Sequence, residues 1–275
     1  MASWIDRSVT LKFVTTAAAL GQEPVAEKVS QLLLERNDDF TPENYDEFEP
    51  IKKVFHKDCL RDIINLWVHK RGDMGGLTNL MFTRKRPYRF LMMVYWMKSR
   101  KAFGNWLSFS IEEKFFEDEK RCSHFLEFAM QLYSILCPAY GIIYHKADYE
   151  KKNVRKTLFD DGNEKSREIL GTELTECLPG VYWANFFNPM YVNFWGKEKF
   201  SNVPCFSKTK LEDSGYLLVT SSSPLEYVSP NFEIAVSHII DHLDKNAFFD
   251  IKQPDRFCQV PVEVKDYAKA VGNSF

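Results

Sequence analysis

The sequence predicts an α+β protein: an antiparallel meander flanked by helices, then a second half in which strand, helix, strand and helix follow one another. Three observations predict it. The runs "GLTNLMFTRK", "YRFLMMVYWMK" and "NWLSFSIEEKFF" are β-rich and separated by Arg-Pro and Phe-Gly-Asn, the punctuation of successive hairpins. Cys122, Phe125, Leu126, Ala129, Leu132, Tyr133 and Leu136 form an unbroken helical stripe that stops at Pro138. Beyond it, strands and helices are mixed rather than strictly alternating, which is the α+β pattern.

In chain order, residues 8–14 read as a strand. "PVAEKVSQLLLERN" then sets Val25, Val29, Leu32 and Leu33 on one side of a helix. In "DCLRDIINLWVHKRG", Leu60, Ile63, Ile64 and Trp67 recur every three to four residues before Gly72. The middle run of the meander is apolar on both alternating faces, so its strand is expected to be central and covered on both sides. "YGIIYHK" reads as a strand, and "YEKKNVRKTLFDDGNEKSRE" as an exposed charged loop with helical pieces, where an internal boundary would fall. "GVYWANFF" is a strand, "PMYVNFWGKEKF" a short helix, "GYLLVTS" a strand, and Phe232, Ala235, Val236, Ile239, Ile240 and Leu243 mark a last helix. The expected organisation is a single domain over residues 1–275, with a helical N-terminal segment at 1–72 and a C-terminal tail at 247–275.

Composition excludes some functions. With 36 basic and 38 acidic side chains in 275 residues there is no global field to draw the chain to nucleic acid or an anionic membrane. The longest apolar run, "FLMMVYWM", is too short to cross a bilayer. The early "KFVTTAAALGQEP" follows Asp6 and is interrupted by Thr15 and Thr16, unlike a signal peptide. Six scattered cysteines without a Cys-x-x-Cys pair point to reduced thiols, and the expected location is cytoplasmic.

No catalytic, cofactor-binding or metal-binding set emerges. His238 and His242 stand at i and i+4 in "HIIDH", but a zinc protease needs Glu where Ile239 stands. "GDMGG" at 72–76 lacks the Lys-Ser/Thr of a phosphate loop, and "SSSP" at 221–224 lacks a nucleophile elbow. "TRKRPYR", residues 83–89, has the basic and aromatic ingredients of a nucleic-acid contact, yet in a slightly acidic chain it reads better as a solvated turn or a protein contact.

The densest stretch is "CLPGVYWANFFNPMYVNFWGKEKF", residues 177–200. Val181, Trp183, Asn185 and Phe187 would face one side of a strand and Tyr182, Ala184 and Phe186 the other, both buried; Asn188-Pro189 starts a helix that Gly196 ends. With "LCPAYGIIYHKADYE" before it and "SGYLLVTSSSPLEYVSPNFEIAVSHIIDHL" after it, this stretch resembles immunity proteins of bacterial polymorphic toxin and type VI secretion systems. That pattern has a Gly-x-x-Trp-x-Asn strand, a helix containing Tyr-Val and a terminal Gly, and the likeness spans about residues 77–246.

The resemblance implies an α+β protein without enzymatic activity or cofactor that binds a cognate protein toxin stoichiometrically, with no nucleic acid and no membrane involved. It carries Gly180, Trp183, Asn185, Tyr191 and Gly196 over as framework positions. Residues that touch a toxin do not carry over, because each such protein matches its own partner. Arg84, Arg86 and Tyr88 in the basic turn and Asp148, Asp160 and Asp161 in the charged segment are candidate partner contacts, since loops on a rigid sheet can vary without disturbing the core. The long N-terminal segment and the tail depart from the family pattern. Two other readings stay open: an enzyme with a pocket around His145, His238 or the cysteines, and a scaffold subunit of an anti-phage defence complex.

Overall fold

The computed structural model describes residues 4–15, 17–36, 39–68, 77–97, 104–159 and 164–261. The fold is α+β and divides into two compact units between Gly141 and Ile142.

In the first unit, β1 (Ser8–Thr15) leads to helices α1 (Ala17–Leu20) and α2 (Glu23–Glu35), the short strands β2 (Asn44–Asp46) and β3 (Lys53–Val54), and helix α3 (Leu60–Val68). The meander β4 (Leu77–Arg84), β5 (Phe90–Met97), β6 (Asn105–Glu112) and the helix α4 (Glu119–Leu136) complete it. The strand order is β1-β6-β5-β4-β2-β3, and each of these pairings is antiparallel. Alternation fixes the faces. Leu11 and Phe13 of β1, Leu107 and Phe109 of β6 and Met92 and Val94 of β5 are wholly buried. Phe109 meets Phe125 and Phe128 of α4, and Phe13 meets Tyr133. Trp67 of α3 donates its indole N–H to Leu20 O at 2.8 Å, and its carbonyl accepts from the Trp96 indole at 2.9 Å, so both buried indoles are satisfied. α4 begins at Asp118, whose carboxylate caps the Lys120 N–H at 2.9 Å, and ends at Cys137 in the left-handed conformation, φ 42°, just before Pro138.

β5 is central, but it is not covered on both sides. Phe90, Met92, Val94 and Trp96 are buried, whereas Leu91, Met93, Tyr95 and Met97 are half-buried. The second apolar face covers itself laterally, with Tyr95 stacked on Trp106 of β6 at 5.1 Å and Lys12 over the Trp106 ring at 5.7 Å.

The second unit carries β7 (Tyr140–His145), α5 (Lys146–Asn153), the hairpin β8 (Val154–Leu158) and β9 (Glu164–Ile169), β10 (Ala184–Phe187), α6 (Pro189–Trp195) and α7 (Lys197–Ser201). β11 (Ser207–Lys210), β12 (Tyr216–Val219) and α8 (Pro230–Leu243) follow. Its sheet order is β11-β12-β10-β7, and β8 and β9 form a separate two-stranded ribbon. α6 and α8 both start at a side-chain cap followed by proline. Asn188 accepts from Met190 N at 3.0 Å and Ser229 from Phe232 N at 3.1 Å. The predicted strand 180–187 is shorter than expected. Residues 178–183 are buried irregular chain, joined to Phe248 by one parallel bridge from Leu178. Among the described residues no helix is long and apolar enough to cross a membrane.

Candidate functional site

Every residue from Cys177 to Phe187 is buried. Of the five framework positions, Gly180, Trp183 and Asn185 belong to that interior, Tyr191 is buried beyond it and Gly196 is half-buried. Trp183, 1% exposed, donates its indole N–H to Ser221 O at 2.9 Å. Asn185 closes a ring with the chain before it: its carbonyl oxygen accepts from Tyr182 N at 3.0 Å and its amide donates to Tyr182 O at 2.9 Å. Thr220 Oγ1 also donates to Tyr182 O, at 2.6 Å. Tyr191 is buried against Phe187 and Trp195. Gly180 (φ 133°) and Gly196 (φ 91°) hold backbone conformations that side chains resist, the second where α6 turns into α7.

This irregular buried chain requires hydrogen-bond partners, and α5 supplies several. Asn153 donates to Leu170 O and Pro179 O, both at 3.0 Å, and accepts from the Tyr182 hydroxyl. Lys152 donates to Val181 O at 2.9 Å and to Asp148 at 2.8 Å, with its ammonium 4.8 Å from the Tyr182 ring centre. Burial raises the Asp148 carboxyl and lowers the Lys152 ammonium from their ordinary values, and in each case the partner's opposite charge offsets part of the shift. Asp148 therefore does not present itself to a partner. The sequence places it in an exposed segment, but its side chain is 5% accessible and spent on Lys152. Asp160 and Asp161 lie outside the described residues, as does "GDMGG".

Two of the side chains invoked for an enzyme make structural contacts. His145 caps α5 by accepting from Ala147 N at 3.2 Å and stacks on Tyr227 at 4.1 Å. His242 meets Lys199 O at 2.9 Å, while His238 is exposed. Burial, then the neighbouring Cys258, pushes the Cys177 thiol up to about 12, far from a thiolate nucleophile. Among the described residues no three His, Cys, Asp or Glu side chains gather as a metal site would require.

In the first unit the basic turn joining β4 to β5 borders an open groove of about 830 Å³. Arg84, Lys85, Arg86 and Arg89 line one part of it. Trp4, Pro50 and Ile51, from the N-terminal turn and the β2–β3 connection, line another, and Glu49 is its acidic member. The turn is held firmly. Arg84 Nη1 donates to Thr41 O at 3.1 Å, Lys85 N to Glu43 at 3.1 Å, and Arg89 N to Glu112 at 3.2 Å. Tyr88 faces away from the groove: its ring meets Phe115 edge-on at 5.2 Å and lies under the Arg121 guanidinium at 4.7 Å. Lys85, Arg86 and Arg89 are exposed, and among the described residues no carboxylate pairs with their side chains. A depression of about 320 Å³ shares Trp4 and Arg89 with the groove and is bordered by Arg7 and Lys114 as well as by Glu112, Glu113 and Glu117.

Of the sequence candidates, then, Arg84 and Arg86 converge on one groove, Tyr88 anchors the turn behind it, and Asp148 belongs to the other unit's interior. Lys85 and Arg89 stood in the same "TRKRPYR" run and could have been read with Arg84 and Arg86 from the spacing around Pro87. Trp4, Pro50 and Ile51 carry no local signal, because only tertiary pairing of β2 with β4 brings the β2–β3 connection to this turn.

No protein-family model and no curated protein matches the chain. Among solved structures, its fold is similar to that of the Pseudomonas aeruginosa T6SS protein PA0821, with a TM-score of 0.52 over 97% of this chain and 85% of that one, at 12% sequence identity. At that identity the likeness is one of fold.

Proposed function

We propose that this chain is an immunity-type protein of a toxin secretion system, which neutralises a cognate protein toxin by forming a stoichiometric complex with it and performs no catalysis. The observation that carries the reading is the contrast between the motif and the turn. Gly180, Trp183, Asn185 and Tyr191 are buried, and the half-buried Gly196 turns the chain from α6 into α7, so these positions hold the second unit's frame, which is what the resemblance assigns to them. Lys85, Arg86 and Arg89, exposed and without an ion pair among the described residues, lie instead on a braced turn of the first unit, and loop residues on a rigid sheet can vary without disturbing a core. The T6SS designation of the protein with the similar fold supports the same reading. Of the side chains an enzyme would use, His145 caps α5 and Cys177 lies in the buried core, while His238 is exposed.

The test is co-expression with the product of the adjacent gene, scored by survival and by one-to-one co-purification. Protection that tracks complex formation at equimolar amounts is the expected result. Protection at strongly substoichiometric amounts, or turnover of a small molecule by the isolated protein, overturns the reading.

A further inference from the structure

We propose that the groove beside the basic turn is the contact surface for the partner, and that it takes an acidic segment of a protein carrying at least one large apolar or aromatic side chain. This rests on the reading of the chain as a protein-binding inhibitor and assigns that binding a place and a chemistry.

Charge comes first. Lys85, Arg86 and Arg89 form no ion pair among the described residues, and together with Arg84 they set four cations around one concave surface in a chain of net charge −2. With four cations against the single carboxylate of Glu49, the groove's lining is net positive, and over low-dielectric walls that excess attracts carboxylates from solution. Arginines are also suited to this use, because the guanidinium fork accepts a carboxylate in bidentate geometry.

The apolar part of the surface selects the kind of anion. Trp4 and Ile51 wall the groove, and close by in sequence Phe48 and Ile5 are 67% and 36% exposed. Exposed aromatic and aliphatic side chains among arginines are the composition of a protein-binding centre, with Trp and Arg the residues that most often dominate the energy. Nucleic acid would need a track of positive charge along its backbone. Here the groove itself contains Glu49, and the adjoining depression mixes Arg7 and Lys114 with Glu112, Glu113 and Glu117, Arg7 being paired to Glu113, so a continuing phosphate chain would find no unbroken positive track. A short acidic loop that ends within the groove needs no such track.

Rigidity supports the same conclusion. Hydrogen bonds from Arg84 to Thr41 and from the Lys85 and Arg89 amides to Glu43 and Glu112, with Tyr88 packed on Phe115, fix the turn before any partner arrives. Little ordering cost is then left to be met on binding.

The experiment compares wild type with the double charge reversal Arg86→Glu/Arg89→Glu, the milder Arg86→Gln/Arg89→Gln, and the control Lys57→Glu, an exposed charge outside the groove. The probe is the adjacent gene's product, with binding measured at about 50 and 300 mM salt, and a DNA duplex serves as the second probe. Thermal melting checks that each variant folds. The expected result is a loss of affinity of about 10- to 100-fold for the double reversal at low salt, mainly in the association rate, with a smaller loss for the Gln pair. Lys57→Glu should change affinity less than about 2-fold. If wild type binds the protein probe and the folded double reversal binds it equally well, the groove assignment is wrong while the immunity reading stands. If wild type does not bind the protein probe at all, both fall together. Duplex DNA bound tightly by wild type and lost in the double reversal also overturns the proposal, in favour of a nucleic-acid site.

Discussion

The charged segment from Lys146 to Ile169 and the basic turn at 83–89 read alike in the sequence, yet their charges face different neighbours. In the segment they face each other. Asp148 holds Lys152 on α5, and Glu150 holds Arg167 of β9, Lys156 of β8 at 3.3 Å and Lys146 at 3.8 Å. In the turn, the Arg84 guanidinium on Thr41, the Lys85 and Arg89 amides on Glu43 and Glu112, and the Tyr88 ring do the anchoring, which leaves the side-chain charges of Lys85, Arg86 and Arg89 exposed and without an ion pair among the described residues. Charge density therefore does not identify a recognition surface. A surface is available where something other than the charges holds the chain in place, because a cation already paired must first be released before it can bind anything else.

The sharpest way to break this comparison is through Trp183, whose surroundings α5 supports by way of Lys152 and Val181. Trp183→Ala removes a buried indole and leaves Ser221 O without its donor, so it should cost about 3 to 5 kcal/mol and lower the melting temperature by roughly 2 to 4 °C per kcal/mol. Differential scanning calorimetry checks it. A variant that melts like wild type but no longer binds the proposed partner would make the aromatic motif the recognition surface, and the contrast drawn between motif and turn would collapse.

How far the sequence could be read follows from which elements have a buried face. α4 and β6 bury one face each, so their periods of 3.6 and 2 appear in the residue types, whereas β5 is legible from its unbroken run of apolar, β-forming residues. β8, β9 and β11 expose nearly every side chain, and with no buried face they leave no alternation to detect, which is why the hairpin reads as a loop. β10 was overestimated for the opposite reason. Residues 178–183 are as apolar as a strand, but their backbone bonds go to Asn153, Lys152, Asn185 and Thr220 rather than along a ladder. Asp148 was misplaced because a carboxylate in a charged run is ordinarily at the surface. Its i+4 relation to Lys152 was visible, but which side of α5 points inward was not. Half of the groove was legible, since its cations are contiguous in sequence and its apolar wall is not.

The next largest effect is expected at that inner pair. Lys152→Met leaves Asp148 buried without its cation, which should cost about 3 kcal/mol near neutral pH, at the low end for a buried pair because Lys152 is a quarter exposed. The sign with pH follows from the direction of the Asp148 shift. Its carboxyl is raised in the folded protein, so the folded state holds the proton more tightly than the unfolded chain, and losing Lys152 strengthens that preference. The variant should therefore recover stability as the pH falls and lose it as the pH rises through the folded value. Asp148→Asn/Lys152→Met should be more stable than Lys152→Met alone. Urea midpoints for the two variants at pH 5 and pH 8 decide the point, and a single variant no less stable than the double would mean that the pair contributes nothing as a pair.

The smallest effect sharpens the comparison most, because it concerns charges that look as exposed as those of the turn. Burial tends to raise the Glu150 carboxyl, but Arg167, followed by Lys156, outweighs it, and the group lies below its usual range. A carboxyl lowered by folding contributes stability above its unfolded value and loses it as the pH falls through the folded one. β8 and β9 touch little else by way of apolar packing: Leu158 and Ile169 are 57% and 56% exposed. The ribbon should thus depend on this network, and acidification from pH 7 to about 3 should loosen it before the rest of the unit. Glu150→Gln should loosen it already at pH 7, by about 0.5 to 1 kcal/mol, and make its protection insensitive to acid. Amide hydrogen exchange on β8 and β9 reads this directly. Equal protection in variant and wild type at pH 7 would mean that the segment's charges are as unengaged as those of the turn, and that it belongs beside the turn as a surface for a partner.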